Sequence, residues 1–471
     1  MKSVYCFLVL LFIVNSVLPQ SWSDPINISG IGPNDNPDFT IDKNGVIHCV
    51  WSQAFDHYFT KIYYAKSVNN GKTWSTPVPI TTNTNLWLDD PHIVADTLGN
   101  LYVSYDYNVG GWTKICFVKF NVSDSGWSQQ TEIATGVSNK LIIDHNNRLY
   151  FFWFAGTEYY RYLDNNVLSD TLSPNSGVTE HYYFDNLTVD INNNIHCVGN
   201  RTAGNHSHGA YFKCIYGNWS QYLDLSNHSF FESGVSLNSI GNPSFVWRQI
   251  MPDSLPDVRG SYYAELDGDS VQPPVFLAMR TSYPTIAIDN NDQPHIVESQ
   301  AVDSGYQLFH RYVSGNVWQN EVLEQNKNWY GKNILISKNS FIYLVYNKVD
   351  TTFFSTTGSH NAMIVFRKIE IVPGMIEENQ KPELVLYPNP FSEKITLKLL
   401  YQNSNPIHLK IFDIYGRTVY EERYEEISPY LNSLVWNGNN NLGAQVKDGC
   451  YFLQISQGSR INFRTVIRMN R

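Results

Sequence analysis

The chain has 471 residues, of which 42% are hydrophobic and 16% are charged, and it carries 31 Tyr, 25 Phe and 12 Trp. This content is typical of a folded protein and excludes a disordered chain, and the length leaves room for about two or three domains. The net charge is −10 and no stripe of Lys and Arg is visible, so no nucleic-acid partner is expected.

The first residues have the pattern of a secretory signal peptide. Lys2 precedes the apolar run Val4–Val14, and polar and small residues follow it. We therefore expect residues 1–20 to be removed during export. No later apolar run is long enough to span a bilayer, so we expect a secreted protein without a transmembrane segment.

A unit of four short strands recurs through residues 22–371. In its first copy the runs rich in β-branched and aromatic residues are Phe39–Ile41, Val46–Trp51, Ile62–Lys66 and Trp74–Ile80. A turn residue marks each copy at intervals of about 50 residues, a period typical of repeat architectures. These residues are Asp42, Asp96, Asp144, Asp190, Asn238, Asp289 and Ser337. The pattern predicts an all-β fold with a seven-bladed β-propeller, and a six-bladed ring is the alternative.

The ends of the repeat array predict how the ring closes. Segments that begin with Trp form the fourth strand of several copies, at Trp74, Trp127, Trp219 and Trp318. The seventh copy lacks such a segment, but the N-terminus supplies one at Trp22. We expect this N-terminal strand to complete the last blade, because closure removes an exposed sheet edge.

Five cysteines follow the predicted signal peptide, so at least one of them is unpaired. Cys197 and Cys214 lie on successive predicted strands and would form a disulfide if their register placed them opposite each other. Buried packing as free thiols is the favoured alternative, because free Cys is among the most buried residue types.

Ser67–Trp74 reads S-V-N-N-G-K-T-W and resembles the Asp-box, or BNR repeat, of sialidase-type propellers, with Asn69 in the place of the Asp. In such a box the short polar side chain bonds to the backbone of its own turn and the Trp packs between blades. The resemblance implies a sialidase-like propeller. The F-R-I-P stretch that carries the first substrate-binding arginine of sialidases is absent, so sialidase activity is not expected.

The C-terminal part differs from the repeats. A polar linker at residues 372–383 precedes three motifs, Y-P-N-P-F from Tyr387, D-I-Y-G-R from Asp413 and D-G-C-Y-F from Asp448. Together they resemble the type A sorting domain of the type IX secretion system over residues 384–471. The resemblance implies an immunoglobulin-like β-sandwich, a bacterium of the Bacteroidetes group, and export to the medium or the outer-membrane surface by the type IX machinery. An ordinary immunoglobulin-like appendage is the alternative.

Charged and aromatic residues from distant repeats are predicted to meet on one face of the propeller. The loops between second and third strands and the loops between blades share the face around the channel mouth, and we call this set of residues the predicted rim. Aromatic rings with charged groups suit a sugar polymer, and arginines suit an anionic one. The predicted binding residues are Asp90, Arg201, Glu232, Arg248, Tyr283 and Glu298.

Glu180, His181 and Tyr182 form the densest acid–base set, and they are the predicted catalytic residues. A His and a Tyr would act as base and acid in polysaccharide β-elimination, with an Arg neutralising a uronate. His206 and His208 lack a third ligand, so no metal site and no cofactor are predicted. By contrast, His48, His196 and His295 occupy one repeated strand position, which indicates a structural role.

Three functions remain open on the sequence alone. The first is a surface-directed propeller that binds or processes glycans. The second is a glycoside hydrolase or polysaccharide lyase, and the third is a structural or adhesion module that binds protein.

Overall fold

The computed structural model describes residues 21–56, 59–82, 86–174, 180–203, 206–215, 217–220, 222–228, 230, 232–250, 259–268, 270–314, 317–326, 328, 330–354, 360–371, 384–399, 407–413, 417–424, 433–457 and 460–469. The chain divides into two compact units, Met1–Gly374 and Met375–Arg471, and each is described by itself. Among these residues no helix is long and apolar enough to cross a membrane. The predicted signal peptide and linker lie outside the described residues.

The first unit is built from antiparallel strands. In chain order they are β1 (Ile26–Asn27), β2 (Asn34–Ile41), β3 (Ile47–Asp56), β4 (Phe59–Ser67), β5 (Val78–Pro79), β6 (Trp87–Ala95), β7 (Leu101–Val109), β8 (Trp112–Asn121), β9 (Gly126–Trp127), β10 (Thr131–Thr135), β11 (Val137–Ile143), β12 (Leu149–Phe154), β13 (Glu158–Asp164), β14 (Val167–Leu168), β15 (His181–Val189), β16 (Ile195–Ala203), β17 (His206–Ile215), β18 (Asn218–Trp219), β19 (Leu223–Ser226), β20 (Glu232–Leu237), β21 (Pro243–Ile250), β22 (Arg259–Asp267), β23 (Ser270–Val271), β24 (Val275–Met279), β25 (Thr281–Ile288), β26 (Pro294–Val302), β27 (Gly305–Ser314), β28 (Val317–Asn326), β29 (Tyr330–Lys338), β30 (Phe341–Phe354) and β31 (His360–Glu370).

In the described part of this unit, these strands form seven sheets of four or five strands. Consecutive strands make up the sheets β2–β5, β6–β10, β11–β14, β15–β19, β20–β24 and β25–β28, and β29–β31 pair with β1. The first strands of neighbouring sheets contact one another in the order β2, β6, β11, β15, β20, β25, β29 and back to β2. This cyclic order of sheets confirms the predicted all-β propeller architecture.

The N-terminal strand closes the ring. Ile26 lies opposite Phe366 and Asn27 opposite Val365, so β1 is the outer strand of the last sheet. The backbone N–H of Ser23 also donates to the carbonyl oxygen of Lys368 at 2.8 Å. The closure predicted from the isolated Trp22 segment is therefore confirmed.

The repeated turn residues organise the hairpins between first and second strands. Oδ1 of Asp42 accepts hydrogen bonds from the backbone N–H groups of Asn44 and Val46 at 2.8 and 2.9 Å. The same two bonds recur at Asp96, Asp144, Asp190, Asn238 and Asp289. The Nε2 atoms of His48, His196 and His295 lie within 3.5 Å of the turn carboxylates of their own sheets, which confirms their structural role.

Tryptophan rings from the outer part of five sheets pack against the preceding sheet of the ring. Because each sheet cannot bury its faces alone, such contacts supply the apolar core between neighbours. The ring pairs, with the distance between centroids, are Trp22–His310 (5.1 Å), Trp74–Phe366 (5.3 Å), Trp127–Tyr64 (5.5 Å), Trp219–Phe152 (6.2 Å) and Trp318–Tyr263 (5.0 Å).

The segment that resembles an Asp-box folds as a turn bonded to itself. Oδ1 of Asn69 accepts from the backbone N–H of Thr73 at 2.9 Å, and Oγ of Ser67 accepts from that of Gly71 at 2.9 Å. Gly71 has a φ of 78°, and a Cβ there would collide with the ring of Phe366. The glycine therefore allows this turn to approach the last sheet closely.

The five cysteines after residue 20 are free thiols. Cys197 lies opposite Phe212 and Cys214 opposite Ile195, so the register separates the two sulfurs that a disulfide would join. Cys49, Cys116, Cys197 and Cys214 are buried, in keeping with the packing alternative.

The second unit contains two sheets that share one apolar core. Its strands are β32 (Leu384–Tyr387), β33 (Ile395–Leu399), β34 (Ile407–Phe412), β35 (Thr418–Tyr424), β36 (Ser433–Trp436), β37 (Gly449–Gln457) and β38 (Arg460–Arg468). One sheet has the order β32-β33-β36 and the other β35-β34-β37-β38. Leu397 and Trp436 of the first sheet pack in the same cluster as Leu409 and Leu453 of the second.

Candidate functional site

The first strand of most sheets, called here the inner strand, begins with irregular backbone. The end of the ring at which these strands begin is called the mouth. β-Bulges interrupt the pairing of β2, β6, β11, β15, β25 and β29 near their starts. Four residues in these bulges have positive φ, namely Asn36 (47°), Asp90 (45°), Ser138 (57°) and Tyr283 (53°). Such a conformation costs a non-glycine residue on the order of 1 kcal/mol or more, and it clusters at functional sites. The mouth is therefore the candidate functional site.

A cavity of about 310 Å³ opens at this mouth, lined by residues of the first, second, sixth and seventh sheets. Its wall includes the carboxylates of Asp35 and Asp89 and the ammonium group of Lys332. The rings of Trp87 and Tyr283 also line it, and each of these residues is 38% exposed. A concave site with aromatic walls and a few polar groups has the composition expected of a small-molecule or sugar subsite.

Two carboxylates hold fixed positions in the cavity wall. Oδ1 of Asp89 accepts hydrogen bonds from Nδ2 of Asn36 at 2.9 Å and from Oγ of Ser52 at 3.1 Å. Oδ1 of Asp35 accepts one from Nδ2 of Asn347 at 2.8 Å. Burial, together with the negative charge of Asp89, raises the pKa of Asp35 above its usual value. Two carboxyl groups thus line the same cavity, and a positively charged occupant would favour the ionised form of both.

A second pair of carboxyl groups lies beside the cavity. Burial opposes ionisation of Asp90, but Lys332, whose Nζ is 3.2 Å from Oδ1, and His92 outweigh it and hold its pKa well below the usual value. Burial and the charge of Asp90 raise the pKa of Asp106 to about 7. Nδ2 of Asn139 donates to Oδ1 of Asp106 at 2.6 Å and to the carbonyl oxygen of Asp90 at 2.9 Å. Near neutral pH Asp90 is therefore ionised while Asp106 is partly protonated, a difference that acid–base pairs use.

Two further carboxyl groups with raised pKa values lie on the third and fourth sheets. Glu158 is 1% exposed, its Oε2 accepts from the backbone N–H of Phe184 at 3.2 Å, and burial raises its pKa to about 8. Burial also raises the pKa of Asp185 to about 6, although its Oδ2 accepts from Oγ of Ser233 at 2.8 Å. The charge of Lys140 opposes both shifts without cancelling them.

Three of the predicted binding residues lie together. Arg248 donates to Oε1 of Glu232 at 2.6 Å, and the backbone N–H of Tyr283 donates to Oε2 of the same carboxylate. Asp90 lies at the same mouth, in the bulge of β6. The charge of Arg248 is thus balanced within its own sheet by Glu232.

Arg201 forms a separate cluster with Glu180. Its guanidinium donates to both carboxylate oxygens of Asp224 at 2.8 Å and to Oε1 of Glu180 at 3.4 Å. It also lies over the ring of Tyr222, 4.1 Å from the centroid. His181, next to Glu180, is exposed at the start of β15. An arginine held by two carboxylates has little charge left for an anionic ligand.

Two predicted site residues are not on the rim, and here the expectation is corrected. The ring of Tyr182 is 7% exposed and packs 4.6 Å from that of Phe212, centroid to centroid, because it belongs to the apolar core between two sheets. Glu298 is fully buried and accepts from the guanidinium of Arg311. Its position on a second strand placed it in the predicted rim, but the side chain points into the protein.

Among the described residues no group of three His, Cys, Asp or Glu is arranged to hold a metal ion. His206 is the start of β17, and the residues just before it lie outside the described ranges.

Asn36 and Ser138 were missed on the sequence, whereas Asp90 and Tyr283 were predicted, and one sequence signal marks all four positions. Asn36, Asp90, Ser138 and Tyr283 each lie six residues before the turn residue of their repeat. Aligning the copies on the turn therefore aligns the strained positions too. Asp35 and Asp89 come directly before Asn36 and Asp90 in the chain, so the same alignment locates them. Asp106 and Lys332 are not located by this alignment.

Comparison with known proteins assigns the second unit. Residues 385–468 match the family model described as a secretion system C-terminal sorting domain. A sequence comparison with curated proteins gave no match.

Solved structures similar to this chain include propeller enzymes. A protein of unknown function from Dyadobacter fermentans is 14% identical, with a TM-score of 0.47 over 75% of this chain and 100% of that chain. An α-L-arabinanase from Penicillium chrysogenum is 14% identical, with a TM-score of 0.43 over 72% and 97%. The NanB sialidase from Streptococcus pneumoniae is 12% identical, with a TM-score of 0.41 over 75% and 70%. The chain combines the ring of antiparallel sheets described above with a secretion system C-terminal sorting domain at residues 385–468.

Proposed function

We propose that this secreted propeller binds glycans in the cavity at its channel mouth. The observation that carries the proposal is the wall of that cavity, which combines the exposed rings of Trp87 and Tyr283 with the carboxylates of Asp35 and Asp89. Sugar rings present apolar C–H faces that stack on aromatic side chains, and their hydroxyl groups donate to carboxylates. A concave cavity with both kinds of wall is therefore suited to a sugar ring.

A Trp87→Ala variant tests the proposal on a glycan array with the full mature chain. We expect the variant to lose most of the binding that the parent protein shows, while its melting temperature changes little. Trp112→Ala is the matched control, because Trp112 is 69% exposed and does not line the cavity. Absence of glycan binding by the parent protein, or equal loss in both variants, would contradict the proposal.

Glycoside hydrolysis is a second candidate, favoured by the opposite pKa shifts of Asp90 and Asp106. In this role Asp106 would donate a proton to the leaving oxygen and Asp90 would act as the ionised carboxylate. Asp106→Asn would abolish release of reducing sugar but retain binding. Binding by the parent protein with no sugar release would leave the protein as a binding module.

A catalytic role stays a prediction for Glu180 and His181. It is not proposed for Tyr182, because the side chain of Tyr182 is buried. The use of Arg201 and Arg248 to bind an anionic glycan is not carried forward, because carboxylates already engage both guanidinium groups. Protein adhesion remains the alternative that a negative glycan array would favour.

The finer architecture is part of the same proposal. Seven sheets in cyclic contact support a ring of seven blades, and the shared core of the two C-terminal sheets supports a β-sandwich. The three C-terminal motifs support type IX export and attachment at the outer-membrane surface.

A further inference from the structure

The cavity wall has unused hydrogen-bond acceptors. Asn347 is 2% exposed and lines the cavity. Its Nδ2 donates to Oδ1 of Asp35 at 2.8 Å and to the carbonyl oxygen of Asn34 at 3.2 Å. Its Oδ1 is buried and has no partner among the described residues. A buried amide oxygen without a donor costs about 1–3 kcal/mol, so a ligand that supplies a donor would be stabilised there.

Three donor groups of the same wall are engaged by carboxylates. Nδ2 of Asn36 and Oγ of Ser52 both donate to Asp89. The ammonium group of Lys332 is paired with Asp90 at 3.2 Å. The wall thus offers acceptors on Asp35, Asp89 and Asn347, and two of these three residues are carboxylates.

On the basis of the proposed function, we infer that the cavity binds a sugar bearing a free, protonated amino group. An ammonium group has three donors and one positive charge, and it would meet the carboxylates of Asp35 and Asp89 and the amide oxygen of Asn347. The sugar ring would lie against Trp87 and Tyr283, which line the same space. An acidic sugar would face two carboxylates, and the lysine of this wall, Lys332, is already paired with Asp90.

The test compares two ligands that differ only at nitrogen, an oligomer of glucosamine and its fully N-acetylated counterpart. We expect calorimetry on the full mature chain at neutral pH to show about tenfold or greater preference for the amine, the effect of one charge-assisted hydrogen bond. Added salt should reduce the preference, because it screens the charges.

Asp89→Asn should remove most of this preference, because it removes the charge and keeps an oxygen for Asn36 and Ser52. Asp124→Asn is the control, since it changes net charge equally in the exposed turn between β8 and β9. If Asp89→Asn lowers the melting temperature, Asp35→Asn replaces it. Loss of preference in the Asp124 variant as well would overturn the inference.

The outcomes separate this inference from the proposed function. Equal binding of both oligomers, lost in Trp87→Ala, would overturn the amino-sugar inference and leave glycan binding standing. Binding of calcium chloride alone, with no binding of the glucosamine oligomer, would also overturn it. No binding to either oligomer or to any glycan on the array would refute both.

Discussion

Single residues at the mouth show how burial and neighbouring charges, rather than residue type, set the charge of a carboxyl group. Asp90 and Asp106 are chemically identical, yet Lys332 and His92 favour the ionised form of the first, whereas burial favours the neutral form of the second. Glu158 and Asp185 behave like Asp106, because burial raises their pKa values. Several carboxyl groups in one region are therefore sensitive to pH near neutrality.

Glu158 gives a prediction at this scale. Its pKa is raised from 4.5 to about 8 in the folded state, so the folded protein keeps a proton that the unfolded chain loses. Stability should fall as pH rises between these values, by about 1.4 kcal/mol per pH unit from this group. Glu158→Gln, which has no carboxylate to ionise, should flatten that slope in denaturant titrations across the range.

The control for this prediction is Glu370→Gln, because Glu370 is exposed at the end of β31. It should keep the slope of the parent protein. An equally steep slope in the Glu158 variant would show that this carboxyl group ionises freely in the folded state.

At the scale of the element, the short outer strand β1 and the residues before it stabilise the closed ring of sheets. β1 has only two residues in regular pairing, but Trp22 is 6% exposed, and its Nε1 donates to Nδ1 of His310 at 3.1 Å. Arg367 also donates to the carbonyl oxygen of Ser23 at 2.9 Å. The N-terminal segment thus ties the last sheet to the sheet before it.

Trp22→Ala should therefore destabilise the propeller by about 3–5 kcal/mol, the usual cost of truncating a buried Trp. The melting temperature should fall by several degrees, as measured by calorimetry. Trp112→Ala is the matched control and should leave it nearly unchanged, because Trp112 is exposed. Similar melting curves for Trp22→Ala and the parent protein would argue against closure by this strand.

At the scale of the whole molecule, the two units have separate cores. The cluster around Trp436 contains only C-terminal residues, and the ring of sheets is complete without them. Each unit thus has the apolar interior that independent folding requires.

Removing residues 384–471 should leave the propeller folded. Its far-ultraviolet circular dichroism spectrum should remain typical of β-sheet, and its thermal unfolding should remain cooperative. The truncated chain should accumulate inside the cell envelope of its native host, because the sorting domain is absent. Cell fractionation with immunodetection measures this, with the full chain as control. Arrival of the truncated chain in the medium at the level of the full chain would contradict the role of the domain.

The sequence by itself determined the repeat, its turn residues and the closing strand. These depend on local chemistry, since an Asp that bonds its own turn and an alternating strand keep the same pattern in every copy. It also determined the sorting domain, whose motifs are continuous in the chain.

Only the tertiary structure decided which charged side chains meet at the candidate site. Lys332 meets Asp90 although 242 positions separate them, so no local pattern joins the two. The structure also decided that Glu298 pairs with Arg311 inside the protein and that Asp224 engages Arg201. Which face of a strand a side chain occupies, and which charge it meets there, depends on register and on the neighbouring sheet, and these come from the folded ring rather than from the segment.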